Sequence, residues 1–207
     1  MNKNDLRYIK TEANIKSAYL ELLSQNTNKQ ITVKEICKLA QCSRNTFYLH
    51  YETRDQLEMH LITDMLDNMA FAFFPQEKDL AKFDSFNNRL YTDAIIDSVI
   101  KIQESLYIFL ENDTGIFSKA LSDTIFNQCL ESVESYLPNE ITPDIRIAFR
   151  YLSNSITGFI FEWLTHTQLK AEEAKKLLFY IHEPIIKSIN MLLITSVSNT
   201  ASLNVLF

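Results

Sequence analysis

Glycine is nearly missing from this chain. Its 207 residues hold two glycines, four prolines, three cysteines and one tryptophan. A glycine-rich phosphate loop needs several backbone positions free of Cβ, so no such nucleotide cradle can be assembled here. Three cysteines, an odd number without paired spacing, make neither a disulfide framework nor a zinc set, and they suit a reducing compartment. His60, His166 and His182 each lack a His or Cys partner at ligand spacing; His182-Glu183 is followed by a proline and lies among apolar residues. The chain therefore reads as a non-enzyme, with no metal and no cofactor. Uninterrupted apolar runs fall far short of the roughly 20 residues of a membrane span, and no charged-then-apolar leader opens the sequence. The expectation is a cytoplasmic protein with no membrane partner. Alternation at period two is absent, whereas apolar spacing of three and four recurs throughout, which predicts an all-α fold.

The most informative stretch is residues 31–57, ITVKEICKLAQCSRNTFYLHYETRDQL. Thr32 followed three residues later by Glu35 is a capping box, and Val33, Ile36, Cys37 and Ala40 make one apolar helix face. Ser43 is placed to cap a second short helix, with Phe47 and Tyr51 facing inward. Thr53 with Gln56 opens a third. Two short helices about a tight turn, the second polar at its N-terminus, describe a helix-turn-helix whose second helix enters the major groove. Charge agrees in sign. Residues 1–60 hold nine Lys/Arg against seven Asp/Glu, net +2, and residues 61–207 hold eleven against nineteen, net −8. Cations are thus kept where phosphates would lie.

Within the second helix, Arg44 and Asn45 stand at the N-terminal end that reaches base edges. Arginine pairs bidentately with guanine and asparagine with adenine. Leu49, one turn on, is placed to touch a thymine methyl. Thr46, Tyr48 and His50 are expected on phosphates, with Lys34 and Arg7 as further cations. Arg54 sits in the first turn of its helix, where free N–H groups also favour an anion. His50 has a second reading, as a histidine packed beneath the helix.

These residues resemble the TetR family of transcriptional regulators. The likeness runs from Thr32-Val33-Lys34-Glu35-Ile36 through Ala40 and Ser43-Arg44-Asn45-Thr46-Phe47-Tyr48-Leu49-His50-Tyr51 to Arg54-Asp55-Gln56-Leu57, and covers about the first 60 residues. Ahead of it Arg7, Ile15, Ala18, Tyr19, Leu22 and Leu23 fit the preceding helix. Gln41 and Asn45 stand where the pattern often has glycine. The run S-R-N-T-F-Y-L-H-Y and the later G-F-I-F-E-W-L are similar to a subgroup that includes regulators of dihydroxyacetone kinase operons. The resemblance implies phosphate contacts from Tyr48 and Arg54, a homodimer on palindromic double-stranded DNA, and a repressor released by a small effector.

Beyond the head, residues 53–194 read as a larger helical domain after a DNA-binding domain at 1–52, with a loose tail at 195–207. The helix from Thr53 should end near Pro75, and a loop plus short helix should fill 76–91. Ile95, Val99, Ile102, Leu106 and Phe109 mark one helix, and Leu121, Ile125, Cys129 and Val133 another. Thr142-Pro143-Asp144 starts a third, and Pro184 should kink the last. The last two helices are apolar on more than one face, so each is expected to be buried on both sides. Ser155, Gly158, Phe159, Phe161, Ile181, Ile185 and Ile189 are the candidates for a dimer interface. Candidates for the wall of a largely apolar effector pocket are Phe71, Phe74, Tyr107, Phe126, Phe149 and Trp163, although aromatics at helical spacing more often fill a core. Two alternatives to an effector remain open: control by a protein partner, and a redox switch at Cys42 in the turn, with Cys37 read as an inert core residue.

Overall fold

The computed structural model describes residues 5–25, 31–70, 85–134 and 141–203. Among them every regular element is an α-helix: α1 (Leu6–Gln25), α2 (Val33–Leu39), α3 (Arg44–His50), α4 (Arg54–Ala70), α5 (Ser85–Lys101), α6 (Gln103–Glu111), α7 (Ile116–Glu134), α8 (Pro143–His166) and α9 (Ala171–Leu203). The chain divides into two compact units. One draws on Met1–Met65 and Glu104–Phe117, the other on Leu66–Gln103 and Ser118–Phe207, so the division falls inside α4.

In the first unit α1 buries Tyr8, Ile15, Ala18 and Tyr19, a stripe at helical spacing. Ile36, Phe47, Tyr51 and Leu57 complete the core with essentially no exposure. Two polar ties fix α1. The Tyr51 hydroxyl donates to the Glu12 carboxylate at 3.1 Å, and the Lys16 ammonium meets Asp64 at 2.6 Å. Burial comes first, and Glu12 second, in pushing the Tyr51 phenol upward, so it remains a donor.

In the second unit α9 packs against both α5 and α8. α8 contributes Ile145, Phe149, Leu152, Ile156, Ile160 and Trp163 to the core, and the Trp163 indole N–H closes the following turn on the Leu169 carbonyl at 2.9 Å. Between α7 and α8, Arg150 donates to Asp123 at 2.8 Å and lays its guanidinium over the Phe126 ring at 3.8 Å. By length and composition Ala171–Ser196 within α9 could cross a membrane. Its apolar residues serve two faces here, one turned into this unit and one outward.

Several elements differ from expectation. The single helix anticipated over Ile95–Phe109 is two, α5 and α6. They break at Ile102, whose N–H reaches Val99 O at 3.2 Å, a three-residue step in place of four. The short helix expected late in 76–91 is the start of the longer α5, which runs from Ser85 to Lys101, and residues 76–84 lie outside the described residues. α9 runs to Leu203, past residue 195 where a tail was expected to start, and no glycine or proline interrupts that stretch. Pro184 sits within α9. The carbonyl it leaves without a partner belongs to Tyr180, on the solvent side of the helix. Thr142 precedes Pro143 as expected but makes no capping bond.

His182 is the one histidine in the core of the second unit, 2% exposed, with Nε2 2.9 Å from the Ser155 hydroxyl. Burial pushes its pKa down to about 4. Between pH 6.5 and 4 the unfolded chain therefore binds a proton that the folded chain refuses, and stability falls as pH drops through that window. The full effect is roughly 3 kcal/mol. Urea unfolding from pH 7 to pH 4 should show that loss in the wild type and a clearly flatter profile in His182→Gln; parallel profiles would contradict it.

Candidate nucleic-acid interface

α2 starts on the anticipated capping box. The Thr32 hydroxyl accepts the Glu35 N–H at 3.3 Å, and the Glu35 carboxylate accepts the Thr32 N–H at 2.9 Å. Seven residues later Ala40 ends the helix and Gln41 takes the left-handed conformation, φ 53°. The chain then folds back so that the Cys42 N–H reaches the Cys37 carbonyl at 3.0 Å, the six-to-one bond of a Schellman motif. Glycine prefers this position because a Cβ crowds the following carbonyl there. Ser43 is next, an extended residue whose Oγ accepts the Thr46 N–H at 3.0 Å and starts α3. Phe47 and Tyr51 anchor α3 inward, at 0% and 1% exposure.

That anchoring decides what α3 presents. Arg44 and Asn45 are exposed at its N-terminal end, and Tyr48 and Leu49 are 54% and 60% exposed. Two large side chains so open to water on a short helix form a surface with no partner inside the unit. Arg7 and Lys34 are exposed as well. Thr46 is half-buried with its hydroxyl 2.8 Å from Ser43 Oγ, so it serves the cap. His50 departs from the phosphate role. Its ring stacks on Tyr8 at 3.9 Å, both ring nitrogens are shut off from solvent, and burial lowers its pKa, so it is a neutral packing group. Arg54 is half-buried between carboxylates, with Nε donating to Asp55 at 2.9 Å and Nη1 lying 3.6 Å from Glu58. A phosphate would have to draw it from these partners. Tyr8, which seats His50, was missed in the sequence because it lies seven residues, about two turns, ahead of Ile15, the first residue of the apolar stripe in the sequence pattern.

With this geometry in hand, the comparison with solved structures is decisive for architecture. A TetR transcriptional regulator from Streptococcus agalactiae 2603V superposes with a TM-score of 0.60 at 23% identity, covering 83% of this chain and 93% of that one. The fold is that of the TetR-type regulators. A TetR-like regulator from Rhodococcus sp. RHA1 gives 0.56 at 16% identity over 83% and 92% of the two chains. The dihydroxyacetone kinase operon activator DhaS gives 0.55 at 16% identity over 87% and 97%. In sequence, 63 residues, 30% of this chain, are 38% identical to the uncharacterized HTH-type transcriptional regulator YxbF of Bacillus subtilis (strain 168). The match spans 17% of that protein's length. No family model matches.

The second unit of this TetR-type fold offers two further features. One is a cavity of about 60 Å³ lined by Ile95, Ile125, Gln128, Leu152, Ile156 and His182, among others. Gln128 Oε1 is buried in the protein without a hydrogen-bond partner. None of the described pocket candidates lines this cavity. Phe149 and Trp163 are core residues, Phe126 lies under Arg150, and Tyr107 belongs to the first unit; Phe71 and Phe74 lie outside the described residues. Among the described residues no cluster of three His, Cys, Asp or Glu could hold a metal. The other feature is an exposed apolar face. On α8 it carries Ile147, Tyr151 and Gly158, and on α9 Leu177, Tyr180, Ile181 and Met191, with Tyr180 73% exposed. A methyl group added at Gly158 would touch nothing. Phe159, Phe161 and Ile185 are half-buried at its margin. Two interface candidates turn inward instead: Ser155 Oγ binds His182, and Ile189 is 1% exposed. Ile147 and Tyr180 were not picked out in the sequence, although Ile147, Tyr151 and Gly158 recur at four and seven.

The turn generates a stability prediction. Gln41→Gly should raise the unfolding free energy measured in urea by about 0.5–1 kcal/mol, the relief of left-handed strain outweighing glycine's added freedom when unfolded. Ser43→Ala should lower it by about 1 kcal/mol through loss of the cap. A destabilised Gln41→Gly variant would show that the turn carries no strain.

Proposed function

We propose that this protein is a cytoplasmic, sequence-specific DNA-binding regulator of transcription that acts as a homodimer on a palindromic operator. The observation that carries this reading is α3: capped and anchored from below, it leaves Arg44, Asn45, Tyr48 and Leu49 facing water together. Arg44 and Asn45 read base edges, and Leu49 meets a thymine methyl. Tyr48 contacts phosphate, with Arg7, Lys34 and a released Arg54 in support. The outer apolar face of α8 and α9 is the dimer interface. Exposed tyrosine, isoleucine and methionine over several turns call for a partner, and two heads on a two-fold axis read two half-sites one helical turn apart.

The sign of control is repression, released by a small and largely apolar ligand held in the second unit. The cavity beside His182 marks where such a site would open, being apolar with a few polar groups; at about 60 Å³ it must widen to take the ligand. DhaS is named an activator, so the reporter experiment must read both signs.

Footprinting the purified protein on the DNA flanking its own gene tests the head. Protection of a short palindrome is expected, and Arg44→Ala should lose about 1–3 kcal/mol on that site with relaxed sequence preference. Tyr48→Phe should weaken binding to cognate and scrambled DNA alike, and equal losses for Arg44→Ala would remove it from base reading. Sedimentation tests the interface: wild type should run as a dimer and Tyr180→Glu as a monomer, while a monomeric wild type would overturn the assembly.

A further inference from the structure

Cys37 and Cys42 were separate matters in the sequence, one a core residue and the other a turn residue. The fold puts them together. They occupy the two ends of the six-to-one bond that closes α2, with the Cys42 N–H on the Cys37 carbonyl at 3.0 Å across the left-handed Gln41. In a Schellman motif the side chains at these two positions frequently contact one another, and the six-to-one bond brings the two cysteines onto the same side of the turn. They are chemically unequal. Cys37 is 6% exposed, whereas Cys42 is reached by solvent. Burial, then the neighbouring Cys42, pushes the Cys37 thiol up to about 11, while the Arg44 guanidinium pulls it down. Arg44 is the residue beside the N-cap of α3, so the pair sits directly beneath the proposed base-reading end.

We propose that Cys37 and Cys42 are a dithiol modification site, closed by hydrogen peroxide to a disulfide across the turn, and that closure lowers the affinity of the head for DNA. The Cys42 thiolate attacks the peroxide oxygen; the O–O bond breaks, water leaves after protonation, and Cys42 becomes a sulfenic acid. The Cys37 thiolate then attacks the Cys42 sulfur and forms the S–S bond, expelling hydroxide that takes up a proton as a second water. Two thiols lose two electrons, and one peroxide becomes two waters. Cys42 attacks because it is exposed. Cys37 resolves because it is already beside the new sulfenic acid, proximity offsetting a low thiolate fraction. Drawing the sulfurs to bonding distance, about 2.05 Å, pulls on the backbone at Gln41 and Ser43, and hence on the aim of α3. The effect on DNA rests on the regulator reading; the thiol chemistry does not.

The test uses the full chain, reduced, treated with hydrogen peroxide, quenched with N-ethylmaleimide and digested with trypsin. Cleavage after Lys34, Lys38 and Arg44 separates Glu35–Lys38 from Leu39–Arg44, so a disulfide holds two peptides together at about 2 Da below their summed mass. That linked pair is expected, and it should vanish on reduction and in Cys42→Ser. In Cys37→Ser the sulfenic acid on Cys42 should persist and be trapped by dimedone. Both peptides alkylated after peroxide, or a sulfinic Cys42 beside an alkylated Cys37, would overturn the proposal. So would operator affinity unchanged by the disulfide, since a drop of about tenfold, reversed by reductant, is expected. The digest reads thiols alone, so a reduced protein that fails to footprint would defeat the regulator reading without touching this chemistry.

Discussion

The backbone reversal at Gln41 is the constraint on which the head depends. α2 and α3 have seven residues each, far below the roughly 12–15 at which an isolated helix holds together in water. Neither persists by propensity. Each is held at its start by a side-chain cap and along its inner face by the core around Ile36, Phe47 and Tyr51. The turn between them sets the angle at which those two inner faces meet one core. A left-handed glutamine performs this at some cost in strain, and the six-to-one bond holds it.

From that constraint the division of labour on α3 follows. With Phe47 and Tyr51 committed inward, Tyr48 and Leu49 between them face outward, whatever their chemistry. A tyrosine and a leucine are thereby left in water at a place where burial would otherwise stabilise the fold by about 1.5–3 kcal/mol for such a side chain. Their exposure is a cost the isolated chain bears, and contact with a ligand surface would relieve it. His50, on the same helix, shows the other outcome. It stacks over Tyr8, which leaves the residue half-buried with both ring nitrogens shut off from solvent.

The second unit repeats the theme on a longer scale. α9 is apolar on two faces, and only one is used within the chain. The inner face packs on α5 and α8 and includes the neutral His182, whose polar edge is met by Ser155. The outer face keeps Tyr180, Ile181 and Met191 in water, and Tyr151 of α8 is exposed as well. The cavity near His182 lies on the inner side, where Gln128 brings a carbonyl oxygen without a partner. A buried acceptor left unmet costs more than one in water, so this spot favours any small donor that fits.

The all-helical class, the capping box at Thr32, the cap at Ser43 and the inward pair Phe47 and Tyr51 were legible because each is written in near neighbours. Spacing of three or four residues carries the physics of caps and faces on its own. Legibility failed where distance in sequence was bridged in space. Tyr8 under His50, His182 against Ser155 and Arg150 over Phe126 all depend on packing that no local spacing records. The break at Ile102 and the extension of α9 past residue 195 belong with them, because neither is marked by a glycine or proline. The sequence by itself determined which segments become helices and which side of the short ones is apolar. Only the tertiary structure decided which polar and aromatic groups were left facing water, since exposure is whatever remains after all the apolar faces have found each other.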